Sequence, residues 1–365
     1  MNQPVEYPPK MHPAEIPISV PATDPDLLLY QLDLVNAKFQ FMKVCEASYR
    51  NSVFMDERIL HTNRQIVEFP ITELMDFIAR SKMRAEKPGF IFHTSFCCST
   101  LLARSLDVAG RTLVLREPWA LYQYSAIRQR LVDSGQWNRD YQSLLDAVLT
   151  LLSKTYAPTE QVVIKPSNLA NGMIGDLLTL RPFAGALLLY SDLENFMISQ
   201  LKKPEATKLK IPRLAASVAA MVNYREYFPH IVPGALPHLH AVAVLWHAQM
   251  MLFAAELENH PQNLRTLSME KLLAEPEASL QASIRWLRLP LDREHVASVI
   301  EGPIWRSHAK VPELPYDVTA REDENRRLLG QYERDINEAL EWAEPLLAAK
   351  PVAIVKARGL DGLIP

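Results

Sequence analysis

The segment from Lys87 to Leu106 (KPGFIFHTSFCCSTLLARSL) constrains the fold of this chain more than any other. A short apolar run at Phe90–Phe92 predicts a strand, small residues follow it, and the Leu-rich stretch after them predicts an amphipathic helix. The first turn of a helix presents unpaired N–H groups and the positive end of the helix dipole, where an anion is stabilised. Ser99 and Thr100 add hydroxyl donors at that point. The segment therefore predicts a phosphate-binding turn.

This turn differs from the loop of the common nucleotide triphosphatases. Their G-x-x-x-x-G-K-[ST] signature requires glycines and a lysine, and neither residue type occurs between Ile91 and Thr100. An ordinary ATPase or GTPase is therefore not expected.

Short apolar runs alternate with helical patterns along the middle of the chain. This alternation is typical of an α/β fold, with a central and mostly parallel sheet flanked by helices in three layers. The runs are Phe90–Phe92, Thr112–Leu115, Gln161–Ile164, Ala186–Tyr190 and Leu264–Leu267. Ligands of such sheets bind beyond the carboxyl ends of the strands, so the residues directly after each run are the candidate site residues.

Polar residues follow four of these strands. His93 follows the first, Glu117 and Lys165 follow the next two, and Ser191 follows the fourth. Each has a structural alternative. Glu117 is either a catalytic carboxylate or a helix cap. Lys165 is either a site cation, a surface charge or a partner of Glu117. His93 is either a base or a core histidine.

Together these segments resemble the sulfotransferases that use 3′-phosphoadenosine-5′-phosphosulfate (PAPS), over roughly residues 88–300. The family's phosphosulfate loop reads Pro-[Lys/Arg]-Ser-Gly-Thr-Thr before a Leu-Leu helix, and Ser99 and Thr100 retain its end. Phe96 stands at the position of the basic residue, and Cys97-Cys98 stands at Ser-Gly. The resemblance implies a P-loop fold, PAPS as co-substrate and no metal.

The resemblance also implies roles for site residues. Glu117 corresponds to the catalytic base, and Lys165 lies in a similar Lys- and Pro-containing stretch. Ser199 is kept from the 3′-phosphate motif, while Ser191 replaces that motif's arginine. In the family a basic C-terminal loop folds over the 3′-phosphate, so either Arg306 or Lys310 would supply the charge missing at Ser191. The alternative is that this segment is a solvated linker. Arg104 faces the same way as Thr100 and would reach either a phosphate or an acid. The implied nucleotide-binding set is Phe96, Cys97, Cys98, Ser99, Thr100, Arg104, Ser191, Ser199 and Lys310.

Composition and charge limit the partners. The chain has 365 residues, 48% of them hydrophobic, and a formal net charge of −3, so bulk charge does not favour a nucleic-acid partner. No apolar run reaches the roughly 18 residues of a membrane span, and the polar, proline-rich start is not a signal sequence. Cys45, Cys97 and Cys98 are too few for a disulfide framework. We expect a cytoplasmic protein.

The sequence predicts three regions: an N-terminal arm with a helical extension at 1–85, a sulfotransferase-like core at 86–300, and a basic loop with a helix at 301–365. Apolar spacing over Asp26–Leu60 predicts the helix of the first region. His240 and His247 share a helix face, but the apolar pattern of 241–257 favours a buried core helix over a metal site. Cys97 and Cys98 are expected to be small buried residues rather than thiol nucleophiles.

Three functions fit these features. The first is sulfonate transfer from PAPS to a hydroxyl or amine of a small-molecule or glycan acceptor. The second is a degenerate sulfotransferase fold that binds or scaffolds, because the loop lacks its basic residue and the 3′-phosphate motif lacks its arginine. The third is a nucleotide-dependent phosphotransferase. Fold resemblance alone does not separate them.

Overall fold

A computed structural model describes residues 16–59, 65–83, 88–315 and 317–360. The strands are β1 (Leu27–Asp33), β2 (Lys38–Lys43), β3 (Ile66–Pro70), β4 (Gly89–His93), β5 (Thr112–Arg116), β6 (Gln161–Lys165), β7 (Ala186–Tyr190), β8 (Leu264–Ser268), β9 (Ser307–His308) and β10 (Val311–Pro315).

The α-helices of the described residues are α1 (Ser19–Thr23), α2 (Glu46–Asn51), α3 (Ile71–Arg80), α4 (Ser99–Ser105), α5 (Trp119–Asp133), α6 (Arg139–Leu152), α7 (Ile174–Leu180), α8 (Leu193–Leu201), α9 (Glu205–Lys208), α10 (Ile211–Met221), α11 (Tyr224–Tyr227), α12 (His238–Asn259), α13 (Met269–Ala274), α14 (Pro276–Leu287), α15 (Arg293–Glu301), α16 (Val318–Leu347) and α17 (Lys350–Ala357). Three 3₁₀ helices span Asn168–Met173, Pro233–Ala235 and Pro303–Trp305.

The strands form three sheets. β1, β2 and β3 make an antiparallel sheet, β9 and β10 make a hairpin, and five strands are ordered β5-β6-β4-β7-β8. The pairs β4–β6, β5–β6 and β7–β8 are parallel. The chain divides into two compact units, the first with residues 1–90 and 106–184 and the second with residues 91–105 and 185–365.

The five-stranded sheet confirms the predicted α/β fold, and its strands coincide with the five apolar runs. All five residues of β4, β5 and β7 are buried, as are four of the five in β6. Strands covered on both faces lack the alternation of a half-exposed strand, which explains their continuous Val, Ile and Leu runs. In the second unit, α14 packs on β7, and α12 and α13 pack on β8.

The helix predicted over Asp26–Leu60 is wrong for the described residues of that range. They form β1, β2 and α2, and Leu32 of β1 pairs with Phe39 of β2. The turn between the strands places Ala37 at φ +51°, and Asp33 accepts the N–H of Asn36 at 3.0 Å. In β2 the buried Phe39 and Phe41 alternate with more exposed residues, which is the period of a strand.

The C-terminal region departs from its prediction in one respect. The basic segment before the last charged helix is a short β-hairpin, β9 and β10, rather than an irregular loop. The charged helix is present as α16, with non-helical backbone at Tyr332. The predicted buried core helix is α12, and His247 within it is fully buried. None of the described helices is both long and apolar enough to cross a membrane.

Candidate functional site

The first unit brings Glu117 and Lys165 into direct contact. Glu117 directly follows β5, and its backbone N–H donates to the carbonyl oxygen of Lys165, the last residue of β6, at 2.7 Å. The Nζ of Lys165 donates in turn to Oε1 of Glu117 at 2.5 Å. The Lys165 side chain is fully buried, whereas that of Glu117 is 19% exposed. The carboxylate is therefore the accessible member of a buried ion pair.

Glu117 also has an unusual backbone. Its φ is +56°, in the left-handed region that non-glycine residues rarely adopt. Such a conformation costs about 1–3 kcal/mol and persists only where the surrounding structure holds it. Here Met55 donates its N–H to the Arg116 carbonyl at 2.7 Å and accepts the N–H of Trp119 at 3.0 Å, which fixes the chain on both sides of Glu117.

Arg116 supports this turn from within the core. Its side chain is 1% exposed, and its guanidinium donates to Asp107 Oδ2 at 2.8 Å and to the Ser52 carbonyl at 3.0 Å. Arg50 also binds Asp107 and donates to Glu160 at 2.5 Å. Sequence reasoning missed this network because Arg50 and Glu160 are far apart in the chain. Burial fixes Arg116 as a structural residue and leaves Glu117 as the group that a ligand can reach.

The predicted phosphate-binding loop lies in the second unit and is anchored to β7. Thr94 donates its N–H to the Leu189 carbonyl at 3.0 Å, and the Sγ of Cys97 lies 3.4 Å from the same oxygen. Gln249 of α12 donates to the Thr94 carbonyl at 3.2 Å. The start of the loop is thus fixed by both the sheet and the core helix.

Three residues of the loop have left-handed backbone. Their φ angles are +77° at Ser95, +53° at Phe96 and +58° at Cys98. Glycine is the residue that adopts this conformation without steric cost, so Cys98 holds its left-handed backbone against a steric cost. The side chain of Cys97 is fully buried, while Phe96 and Cys98 are half-buried.

The helix that follows the loop starts where the sequence placed it. α4 begins at Ser99, so the first N–H groups of that helix have no acceptor within it. Ser99 and Thr100 are 5% and 4% exposed. Burial raises the pKa of the Cys98 thiol, and the nearby Arg321 opposes that shift. A raised pKa disfavours the thiolate form of Cys98.

Three cations contact this loop. Lys203 and Lys310 place Nζ 4.8 Å and 5.4 Å from the centroid of the Phe96 ring. Arg321 places Nη1 3.2 Å from the Sγ of Cys98. Lys310 was expected to supply the charge missing at Ser191 rather than to contact this loop, and no contact of Lys203 or Arg321 with it was expected. The aromatic Phe96 was the available signal, because a ring face attracts cations from other segments.

The remaining predicted residues of the second unit are buried or have structural contacts. His93 is 3% exposed, and its Nδ1 accepts the N–H of Ser95 at 3.1 Å. Arg104 donates to the Ala309 carbonyl at 3.3 Å, which is neither of the contacts expected of it. Ser191 is fully buried and its carbonyl accepts from Trp246 at 2.8 Å. Ser199 lies on α8 and is 8% exposed.

His247 of α12 lies in the core. Within residues 16–59, 65–83, 88–315 and 317–360, no group of three or more His, Cys, Asp or Glu side chains is placed to hold a metal ion. His247 instead has its Nδ1 2.9 Å from the hydroxyl of Tyr224. Burial lowers the pKa of His247 to about 4, so the imidazole is neutral at pH 7.

Comparison with known proteins gives distant likenesses. No family model and no curated protein matches the chain. Among solved structures it is similar to the sulfotransferase domain from the curacin biosynthetic pathway, with 12% identity and a TM-score of 0.37 over 68% of this chain and 98% of that one. It is also similar to sulfotransferase STF9 from Mycobacterium avium, with 10% identity and a TM-score of 0.37 over 71% of this chain and 80% of that one. It is also similar to a sulfotransferase from Alicyclobacillus acidocaldarius, with 13% identity and a TM-score of 0.35 over 69% of this chain and 98% of that one.

Proposed function

We propose that this chain is a sulfotransferase-like enzyme that transfers a sulfonate group from PAPS to a hydroxyl or amine of a small-molecule or glycan acceptor. The observation that carries the proposal is the contact between Glu117 and Lys165. A carboxylate held on strained backbone, next to a buried lysine and still reachable from solvent, is more than a helix cap requires. A helix cap needs neither the left-handed backbone nor the lysine.

Glu117 is assigned the role of general base. Its carboxylate accepts the proton that the acceptor hydroxyl or amine loses as its oxygen or nitrogen bonds to sulfur. A well-placed general base contributes about 10²–10⁴-fold to the rate. Lys165 holds the carboxylate in place through its 2.5 Å contact and adds positive charge near it. We assign no role in proton transfer to the buried His93.

The loop from Phe96 to Thr100 is assigned to the nucleotide. The donors present there suit a phosphate or sulfate group, since the first N–H groups of α4 and the hydroxyls of Ser99 and Thr100 are all hydrogen-bond donors. PAPS, when bound, supplies the activated sulfonate, and 3′,5′-ADP is the product that leaves. The proposal places no metal in the reaction.

One observation favours the second candidate, a protein that binds or scaffolds without catalysis. The family's basic loop residue is replaced by Phe96, and Ser191, which stands at the family's arginine, is fully buried. A lost charge-assisted hydrogen bond weakens binding by about 1.5–3 kcal/mol each. Nucleotide binding therefore separates the two candidates.

A thermal-shift titration with 3′,5′-ADP tests the proposal, with 5′-ADP and ATP as controls. A ligand at 100 times its dissociation constant adds about 2.7 kcal/mol of stability, which raises the Tm of a chain of this size by about 3–4 °C. We expect a shift that is specific for 3′,5′-ADP. No shift at millimolar concentration favours the binding or scaffolding protein, and a shift with ATP alone favours a phosphotransferase.

A further inference from the structure

We propose that the first half of α16, residues 318–330, is a lid on the loop at Cys98, and that it opens about a hinge at Gly330 and Tyr332 while residues 333–347 stay packed. Cys98, α16 and the elements that α16 contacts here all belong to the second unit. The motion requires no ligand, so it stands or falls apart from the proposed function.

The hinge lies where α16 departs from helical geometry. Tyr332 has φ −121° and ψ 22°, outside the helical range. Gly330, two residues earlier, is exposed, and a β-carbon added to it would meet no atom of the described residues within 4 Å. No neighbour therefore requires a glycine at this position, and glycine makes a helix more flexible than alanine does. Interruption of the helical backbone next to a glycine is a common cause of a bend.

The second half of α16 is fixed by apolar packing. It has four buried residues at a spacing that places them on one face of the helix. They are Ile336, Ala339, Ala343 and Leu346. The ring of Trp342 also packs edge-to-face on His240 of α12, with ring centroids 4.6 Å apart. This half has the burial that keeps an element in place when a neighbouring segment opens.

The first half of α16 is held mainly by polar contacts. Leu328 is the one buried residue of 318–330. Lys202, directly after α8, donates to Glu324 Oε2 at 2.7 Å and to Asn325 Oδ1 at 2.9 Å, and Asn325 donates to Asn195 Oδ1 at 3.1 Å. The side chains of Lys202 and Glu324 are 20% and 36% exposed. Partly solvated contacts of this kind are exchanged for water at little cost, so this half opens more easily than the other.

Arg321 connects the first half of α16 to the loop. Its Nη1 lies 3.2 Å from Cys98 Sγ, and its Nη2 lies 2.7 Å from Met269 Sδ. Thiol and thioether sulfurs are weak acceptors, so neither contact holds the helix strongly. Cys98 is half-buried beneath this arginine, and burial raises the pKa of its thiol. Opening of the lid uncovers the thiol and favours its reactive thiolate form, so the reactivity of Cys98 measures the motion.

Hydrogen exchange of the full chain without ligand, followed by mass spectrometry, compares the two halves of α16. We expect the amides of 318–329 to be protected about tenfold less, or weaker still, than those of 333–347. Alkylation with iodoacetamide measures the opening from the side of the loop. Fragment-ion mass spectrometry assigns the label to a particular cysteine, and the exposed Cys45 serves as the internal standard for an uncovered thiol.

Two variants move the opening in opposite directions. Gly330→Ala stiffens the hinge without a clash and should slow the labelling of Cys98 about two- to fivefold. Lys202→Gln removes the contacts with Glu324 and Asn325 and should speed it by a similar factor. The matched control is Arg326→Gln, because Arg326 is exposed and binds Asp323 of the same half at 2.9 Å. It should leave the labelling rate unchanged.

The lid is supported if Cys98 labelling slows in Gly330→Ala and quickens in Lys202→Gln while residues 333–347 keep their protection. Equal protection of the two halves overturns it. Labelling of Cys98 as fast as that of Cys45 would show that nothing covers the thiol, and labelling only at the rate of global unfolding would show that the helix does not open by itself. An effect of Arg326→Gln equal to that of Lys202→Gln also overturns the lid. Circular dichroism melting curves verify that each variant folds.

Discussion

Glu117 and Lys165 are joined twice, once through the main chain and once through their side chains. The Glu117 N–H donates to the Lys165 carbonyl at 2.7 Å, and Lys165 Nζ donates to Glu117 Oε1 at 2.5 Å. The main-chain bond ties the residue after β5 to the end of β6 and holds Glu117 at its left-handed φ of +56°. The side-chain bond then orients the carboxylate.

Glu117→Gln should abolish sulfonate transfer while leaving nucleotide binding intact. The amide keeps the shape of the side chain but does not accept a proton at neutral pH, so we expect kcat to fall about 100-fold or more. The dissociation constant for 3′,5′-ADP should stay within twofold. Glu73→Gln, an exposed glutamate of α3, is the matched control and should retain activity. Loss of nucleotide binding in Glu117→Gln would show a structural role instead.

Removing both members of the Glu117–Lys165 pair should cost less than the sum of the two single removals. Without the carboxylate, the fully buried Lys165 ammonium loses its ion-pair partner, and we expect Glu117→Gln to lower the free energy of unfolding by about 1–3 kcal/mol. The double variant with Lys165→Met and Glu117→Gln should lose less unfolding free energy than the two single variants together, by about 1 kcal/mol or more. Urea denaturation of the unmodified protein, the two single variants and the double variant measures this interaction. Additive effects would mean that the contact contributes nothing to stability.

Cys98 should be better replaced by glycine than by alanine. Both substitutions remove the thiol and its contact with Arg321, but only glycine relieves the left-handed backbone at φ +58°. A left-handed residue with a side chain costs about 1–2 kcal/mol. We therefore expect Cys98→Gly to exceed Cys98→Ala in unfolding free energy by about 1 kcal/mol, measured in urea. Equal stabilities would mean that the loop relaxes when the thiol is removed.

The central sheet was predictable because its strands are buried on both faces. A strand such as β7 then reads as an unbroken apolar run, Ala186–Tyr190, and a polar residue marks its end. Strand β1 of the first unit was not predicted, because it is not buried along its whole length and does not read as an unbroken apolar run. Leu28 and Leu32 have the spacing of one helix face, and the register shift between Leu29 and Gln31 pairs them with Met42 and Phe39 on opposite faces of the strand. The pairing of β2 with β3, as of Phe41 with Val67, decides the matter and has no local signature.

Some residues of the candidate site were likewise predictable from the sequence, and others were not. Glu117 and Lys165 were predictable because both lie at the ends of buried strands, and a contact between them was one of the alternatives for Lys165. Lys203 and Arg321 were not, because they approach Phe96 and Cys98 from segments more than a hundred residues away. Nothing in the sequence around either cation indicates its partner.

Acid should destabilise the protein partly through His247. Its pKa is about 4 in the folded state, below the ordinary value of 6.5, because the ring is buried beside Tyr224. Between these values the unfolded chain binds a proton that the folded chain does not, so this contribution is complete above pH 6.5 and falls as the pH drops to 4. At about 1.4 kcal/mol per pH unit, the loss is about 3 kcal/mol.

His247→Gln removes this titration, so its unfolding free energy should fall less steeply than that of the unmodified protein between pH 6.5 and 4. Urea denaturation at several pH values measures the two slopes. His230→Gln, which changes an exposed histidine of the same unit, is the control and should keep the original slope. Parallel curves for His247→Gln and the unmodified protein would show that His247 is protonated in the folded state at pH 5, against the burial that α12 imposes on it.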